Sequence, residues 1–134
     1  MELKELENIA YNSVGIPYNE KDPAITHSLE TGFNCYTWGV YLHALSGIAI
    51  KEMSDQFSFL RYLRHNFVEV TDKEYKMLDI PMFYFTSLGK RHVGVLLDNE
   101  RFTHCSVNTN GVAVSKITTP PWSTILRKVY RYKK

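Results

Sequence analysis

The hydrophobic period of the chain changes once, near residue 66, and that change limits the fold more than any other feature. Before it, apolar residues recur every three or four positions. Leu3, Leu6, Ile9, Ala10 and Val14 share one face of a first predicted helix that ends near Gly15. Trp38, Tyr41, Leu42 and Leu45 mark a second, of about three turns, with Gly47 as its C-terminal cap. Phe57, Leu60 and Leu63 mark a third, from Ser54 as N-cap to about His65, whose charge complements the helix dipole. After residue 66 the apolar runs are short and bounded by turn residues: 67–70, 82–85, 92–97, 101–106, 112–115 and 128–132. Asn110-Gly111 is the strongest hairpin signal among the turns. Helices followed by an antiparallel meander predict an α+β fold, with N-terminal helices packed on one side of an antiparallel sheet of about five strands.

The chain of 134 residues is expected to form a single domain over 1–134 with a core large enough to fold unaided. A formal charge of +2 with interleaved signs gives no reason to expect a nucleic acid or an anionic membrane as partner. The first seven residues are charged and amphipathic, which predicts neither a signal peptide nor a membrane span, and hence a cytoplasmic location as synthesised. In a reducing compartment Cys35 and Cys105 are expected as thiols.

Thr31-Gly32-Phe33-Asn34-Cys35 places one of those thiols where a turn runs into an apolar helix. Asn34 suits the N-cap, so Cys35 falls in the first turn, where unpaired N–H groups and the positive end of the dipole favour thiolate over thiol. Free cysteine is also a commonly buried small hydrophobe, so chemistry here requires a partner.

A cysteine nucleophile needs a base and a group to orient that base. His92 opens one predicted strand and His104 lies in the next. With a three-residue loop at 98–100, Gly94 faces His104, and His92 and His104 become a diagonal pair on one side of the sheet, about 7–8 Å apart at the backbone. A two-residue loop would turn His104 to the other face. Glycine at position 94 implies something packed close to the backbone, the Cys35 helix being one candidate. Cys105 alternates away from His104 and reads as core. His27 reads as loop surface and His43 as helix surface.

Taken in order, Gly15-Ile16-Pro17-Tyr18, Gly32-Phe33-Asn34-Cys35, Ile80-Pro81-Met82-Phe83-Tyr84-Phe85 and His92-Val93-Gly94-Val95-Leu96-Leu97 followed by Arg101-Phe102-Thr103-His104 resemble the NlpC-type (NlpC/P60) cell-wall cysteine peptidases, a compact branch of the papain-like fold. The resemblance covers nearly the whole chain. It implies Cys35 as nucleophile, His92 as general base and acid, and His104 as the third group, fixing the tautomer of His92. Tyr18 matches the tyrosine whose hydroxyl, with the Cys35 N–H, forms an oxyanion hole. The implied substrate is peptidoglycan, cut at the γ-D-glutamyl to diamino-acid bond of its stem peptides.

The family usually has Asp before the cysteine and Ser-Gly after it, where this chain has Asn34 and Tyr36-Thr37; Asn34 and Tyr36 are therefore candidate substrate-binding positions at which preference would change. Ile80-Pro81 stands where the family often has Gly-Asp. The aromatic start of the cysteine helix and the basic, aromatic stretch from Trp122 to Tyr132 resemble the phage-tail branch. That implies a virion-associated enzyme, or one delivered to the wall by tail or secretion partners, with a free-standing cytoplasmic or effector-like hydrolase as the alternative.

Three other readings compete. Cys35, His92, His104 and Cys105 are zinc-ligand types, but no close ligand pair supports a site, so neither metal nor cofactor is expected. A non-catalytic structural or binding module would have eroded Cys35, His92, His104 or Tyr18. A papain-like acyltransferase would need an apolar channel.

Overall fold

The computed structural model describes residues 3–23, 26–50 and 56–133. In chain order these form α1 (Leu3–Asn12), α2 (Cys35–Leu45), α3 (Gln56–Asn66), β1 (Phe67–Glu69), β2 (Ile80–Phe85), β3 (Lys90–Val93), β4 (Val95–Leu96), β5 (Arg101–Ser106), β6 (Gly111–Lys116), α4 (Trp122–Ile125) and β7 (Leu126–Tyr132). The α+β order is the expected one. The strands pair antiparallel in two sheets, however, ordered β1-β7-β2-β3 and β4-β5-β6, rather than in one sheet of about five.

α1 buries Leu6 and Ala10 but stops at Asn12, so Val14, expected on its apolar face, lies past the helix and is exposed. The expected N-cap of α3, Ser54, lies outside the described residues. α2 is enclosed on two sides. Cys35 and Tyr36 pack with Phe59 and Leu63 of α3 and with Met82 and Val93 of the first sheet. Trp38 and Leu42 pack with Leu6, Phe33, Val95 and Val112, on the side of the second sheet. Trp38 Nε1–H donates to Thr103 Oγ1 at 3.0 Å, giving the buried indole the partner it needs.

Because α2 is enclosed, His43 is not on a helix surface as expected. It is fully buried, with Nδ1 2.8 Å from the Gly39 carbonyl oxygen and Nε2 3.1 Å from that of Leu78. Phe83, alternating with Met82 along β2, reaches the opposite face and joins Leu96, Phe102, Ile117 and Val129 in a further cluster beside Trp122.

The run 92–97, expected as one strand, breaks at Gly94, where the chain passes from the first sheet to the second. A Cβ at Gly94 would stand 2.7 Å from Phe102 Cδ2, 2.9 Å from the Thr103 carbonyl oxygen and 3.3 Å from His104 Cβ. The close neighbour that requires glycine is thus β5, not α2. The three-residue loop after β4 has the expected register: Val95 pairs with Thr103 and Leu96 with Phe102, and Leu97 N–H donates to the Arg101 carbonyl at 2.8 Å. Asp98 holds that loop, its Oδ1 accepting the Glu100 and Arg101 N–H groups at 2.8 Å each.

Candidate active site

The start of α2 is fixed from both directions. Asn34 Oδ1 accepts the Thr37 N–H at 2.8 Å, and Thr37 Oγ1 accepts the Asn34 N–H at 2.9 Å, a reciprocal capping box. His27, expected as loop surface, is half-buried against this cap, with Nδ1 2.9 Å from Thr37 Oγ1 and Nε2 3.1 Å from the Asp22 carbonyl.

Upstream, Gly32 takes φ +95°, and its α-carbon packs so tightly on the Pro17 carbonyl that a side chain has no room. The Phe33 N–H donates to the Pro17 carbonyl (3.2 Å), and the Asn19 N–H donates back to the Phe33 carbonyl (3.0 Å). This short parallel bridge sets Tyr18 beside Phe33, two residues before Cys35. Cys105 is core as expected: it is fully buried and its thiol donates to the Phe33 carbonyl at 3.1 Å.

A cleft of about 300 Å3 opens over the sulfur, and Tyr18, Cys35, Tyr36 and His92 all line it. Glu20, Lys90 and Arg91 give its walls charge of both signs. Tyr36 packs on Phe59 with ring centroids 5.0 Å apart. Asn34 is half-buried, and its side-chain oxygen serves the cap.

Cys35 is 9% exposed, and burial pushes its thiol up to about 11. The N–H groups of Val93, Cys35 and Tyr36 and the Tyr36 side chain pull the other way without overcoming burial. The helix N-terminus therefore does not by itself give the thiolate that its position suggests. Tyr18 is pushed up to about 12, by burial first and then by the nearby Cys35 and Glu20, so its hydroxyl remains a donor at neutral pH.

His92 Nε2 lies 2.8 Å from His104 Nδ1, and His104 Nε2 lies 2.9 Å from Ser115 Oγ. The bond between the rings leaves Nδ1 of His92 as the nitrogen that can serve the cleft. Aromatic rings enclose the pair: Trp122 stands 5.7 Å from the His92 ring and 4.8 Å from that of His104, Phe83 stacks on His92, and Phe102 lies 4.5 Å from His104. Burial lowers His92 to about 4. Burial, and then repulsion from His92, lowers His104 to about 3. Both rings are neutral at pH 7, so His92 can accept a proton.

Sequence reasoning overlooked Ser115, Trp122 and the Val93 N–H. Only Ser115 had a local signal. The Asn110-Gly111 hairpin pairs Phe102 with Ser115 and His104 with Ala113, which puts Ser115 on the same face as His104. Trp122 arrives from α4, and no sequence pattern ties that turn to β5.

Among the described residues, no group of three or more His, Cys, Asp or Glu gathers as a metal-ligand set, and no helix is long and apolar enough to cross a membrane. Residues 19–131 match the model of the NlpC/P60 family. No curated protein matches the chain. Among solved structures, a lipoprotein-like NLP/P60 family protein from Staphylococcus aureus aligns with a TM-score of 0.73 and 18% identity over 98% of this chain and 41% of its own. An NLPC/P60 family protein from Bacillus cereus aligns at 0.72 and 20%, over 98% and 40%. The peptidoglycan hydrolase RipB from Mycobacterium tuberculosis aligns at 0.64 and 21%, over 98% and 65%. The chain spans about two fifths of the length of the first two. At these identities the structures speak for the fold, and the sequence match over 19–131 speaks for descent: the chain belongs to the NlpC/P60 family.

Proposed function

We propose that the protein is a cysteine hydrolase of amide bonds in peptidoglycan stem peptides, cutting between γ-D-glutamate and the diamino acid. One observation carries this reading: a cysteine at a capped helix start shares a cleft with a histidine whose far nitrogen is held by a second histidine. Members of the family are cysteine peptidases, and the similar RipB is a peptidoglycan hydrolase.

In this reading His104 Nδ1 accepts the Nε2–H of His92, which leaves the His92 Nδ1 lone pair free for the thiol. Because burial penalises a separate thiolate and a separate imidazolium, the proton passes from Cys35 to His92 as the sulfur attacks the carbonyl carbon. The Cys35 N–H and the Tyr18 hydroxyl hold the oxyanion of the tetrahedral intermediate. His92 returns the proton to the departing amine as the C–N bond breaks, leaving a thioester. Water then attacks the thioester carbonyl, His92 takes its proton, and the acid and the free thiol are released. Tyr36 forms a cleft wall against the substrate, whereas Asn34 acts on the substrate only by holding the helix start. The aromatic start of α2 and the basic, aromatic stretch from Trp122 to Tyr132 support a phage-tail setting.

The test is digestion of purified peptidoglycan by the wild-type protein and by Cys35→Ala, with the products read by mass spectrometry. Wild type should release fragments with a new free amine on the diamino acid and a free γ-carboxyl on D-glutamate, and Cys35→Ala none. Intact sacculi after prolonged incubation with folded wild-type protein would overturn the reading. Cleavage elsewhere in the stem would keep the chemistry and change the bond.

A further inference from the structure

We infer that Ser115 is a positioning residue of this site, acting as hydrogen-bond acceptor for His104 and so holding His92 in the tautomer that can take a proton from Cys35. The inference rests on the reading of Cys35 as nucleophile and His92 as base.

The bond between His92 Nε2 and His104 Nδ1, 2.8 Å long, can run in two directions when both rings are neutral. If His92 donates, its Nδ1 carries the lone pair, and the one proton of His104 must be on Nε2, pointing at Ser115 Oγ 2.9 Å away. If His104 donates instead, Nδ1 of His92 carries the proton and cannot accept another. His104 Nε2 then has only a lone pair to offer the serine. The state of the far end of the relay therefore fixes the state of the near end.

Ser115 is the partner the structure provides at that far end. His104 is wholly buried between Phe102 and Trp122, so its Nε2 depends on the serine. Ser115 itself is half-buried and lines a second cleft, of about 420 Å3, with Tyr11, Arg101, Lys116, Thr119 and Trp122. When Ser115 Oγ accepts from His104, its own O–H can donate to water there. Every hydrogen bond in the chain then runs outward from His92, through His104, to Ser115. Ser115 does not line the substrate cleft, so its effect on turnover passes through the histidines.

The test combines nitrogen-15 NMR of the imidazole rings with steady-state hydrolysis of a soluble muropeptide, for wild type, Ser115→Ala and Ser115→Thr. In wild type both His92 and His104 should carry their proton on Nε2. Ser115→Ala should move both rings to a mixture of tautomers and lower kcat about tenfold, as expected for loss of one hydrogen bond, with KM unchanged. Ser115→Thr should restore the wild-type spectrum and kcat. A wild-type spectrum with the proton on Nδ1 of His92, or a Ser115→Ala protein with unaltered tautomers, would overturn the inference. The spectra do not depend on the substrate: absence of hydrolysis with the expected tautomer response removes the peptidase reading alone, and hydrolysis with no tautomer response removes the role of Ser115 alone.

Discussion

Two histidines kept neutral inside an aromatic enclosure should make the protein acid-labile well above the pH at which carboxylates protonate. Burial lowers His92 to about 4, and burial together with repulsion from His92 lowers His104 to about 3, against about 6.5 in an unfolded chain. The folded values lie below the unfolded ones, so below pH 6.5 the unfolded state binds more protons and stability falls as the pH falls. The contribution is complete above the unfolded value and is lost on the way down toward the folded ones. Integrated between pH 7 and pH 5, each ring accounts for about 2 kcal/mol, and the two together for about 4, against roughly 5–15 kcal/mol for a whole domain. His43, also lowered by burial, acts in the same direction. The assay is urea unfolding at pH 7, 6 and 5 followed by fluorescence of Trp38 and Trp122. The midpoint should drop steeply with acid, and His104→Asn, which removes one of the three buried rings, should flatten the pH dependence. Equal midpoints at pH 7 and pH 5 would refute the enclosure argument, because rings open to water would titrate alike in both states.

Gly94→Ala should cost about 1–3 kcal/mol, read as a lower melting temperature, since the new methyl meets backbone and ring atoms of β5. It should also weaken the His92 to His104 bond, visible as a change in the nitrogen-15 spectrum. Asp79, 1% exposed, takes Arg131 on both carboxylate oxygens (2.9 and 2.8 Å) and the Lys76 N–H at 2.8 Å, so Asp79→Asn should destabilise by about 2–3 kcal/mol in urea titrations. Alkylation of Cys35 by iodoacetamide should be slow at pH 7 and climb above pH 9, following a thiol that burial holds near 11. A rate already at its plateau by pH 7 would contradict that placement.

What could be read from the sequence follows from how local the deciding physics is. The helix start at Cys35 was legible because one side chain and the backbone N–H three residues on decide it. The contact of His92 with His104 was legible only in part: the loop 98–100 sets the register of β4 on β5, but His92 stands on β3, in the other sheet. The break at Gly94 was not legible. The apolar run continues through Val95, Leu96 and Leu97 while the chain passes from one sheet to the other, and an apolar run alone does not say which partner a strand has. His43 was misplaced for a related reason. Helical spacing distinguishes a wet face from a dry one only when a helix has a wet face, and α2 is covered from both sides.

That enclosure also sets the chemistry. A cysteine in the first turn of a surface helix would be drawn toward thiolate by the N–H groups around it. Here the same turn packs against α3 and the first sheet, and desolvation outweighs those donors. His92, the proposed base, is treated alike: the rings that hold the two imidazoles in place also exclude the water that would stabilise an imidazolium. Neither partner can carry a lone charge at low cost, but a proton passed between them leaves the pair's net charge unchanged. In the proposed mechanism, reactivity depends less on a standing thiolate than on His92 presenting the correct nitrogen as the carbonyl arrives. If that mechanism holds, the hydrogen bonds behind His92, through His104 to Ser115, are a condition of turnover, and damage there should lower kcat without loosening substrate.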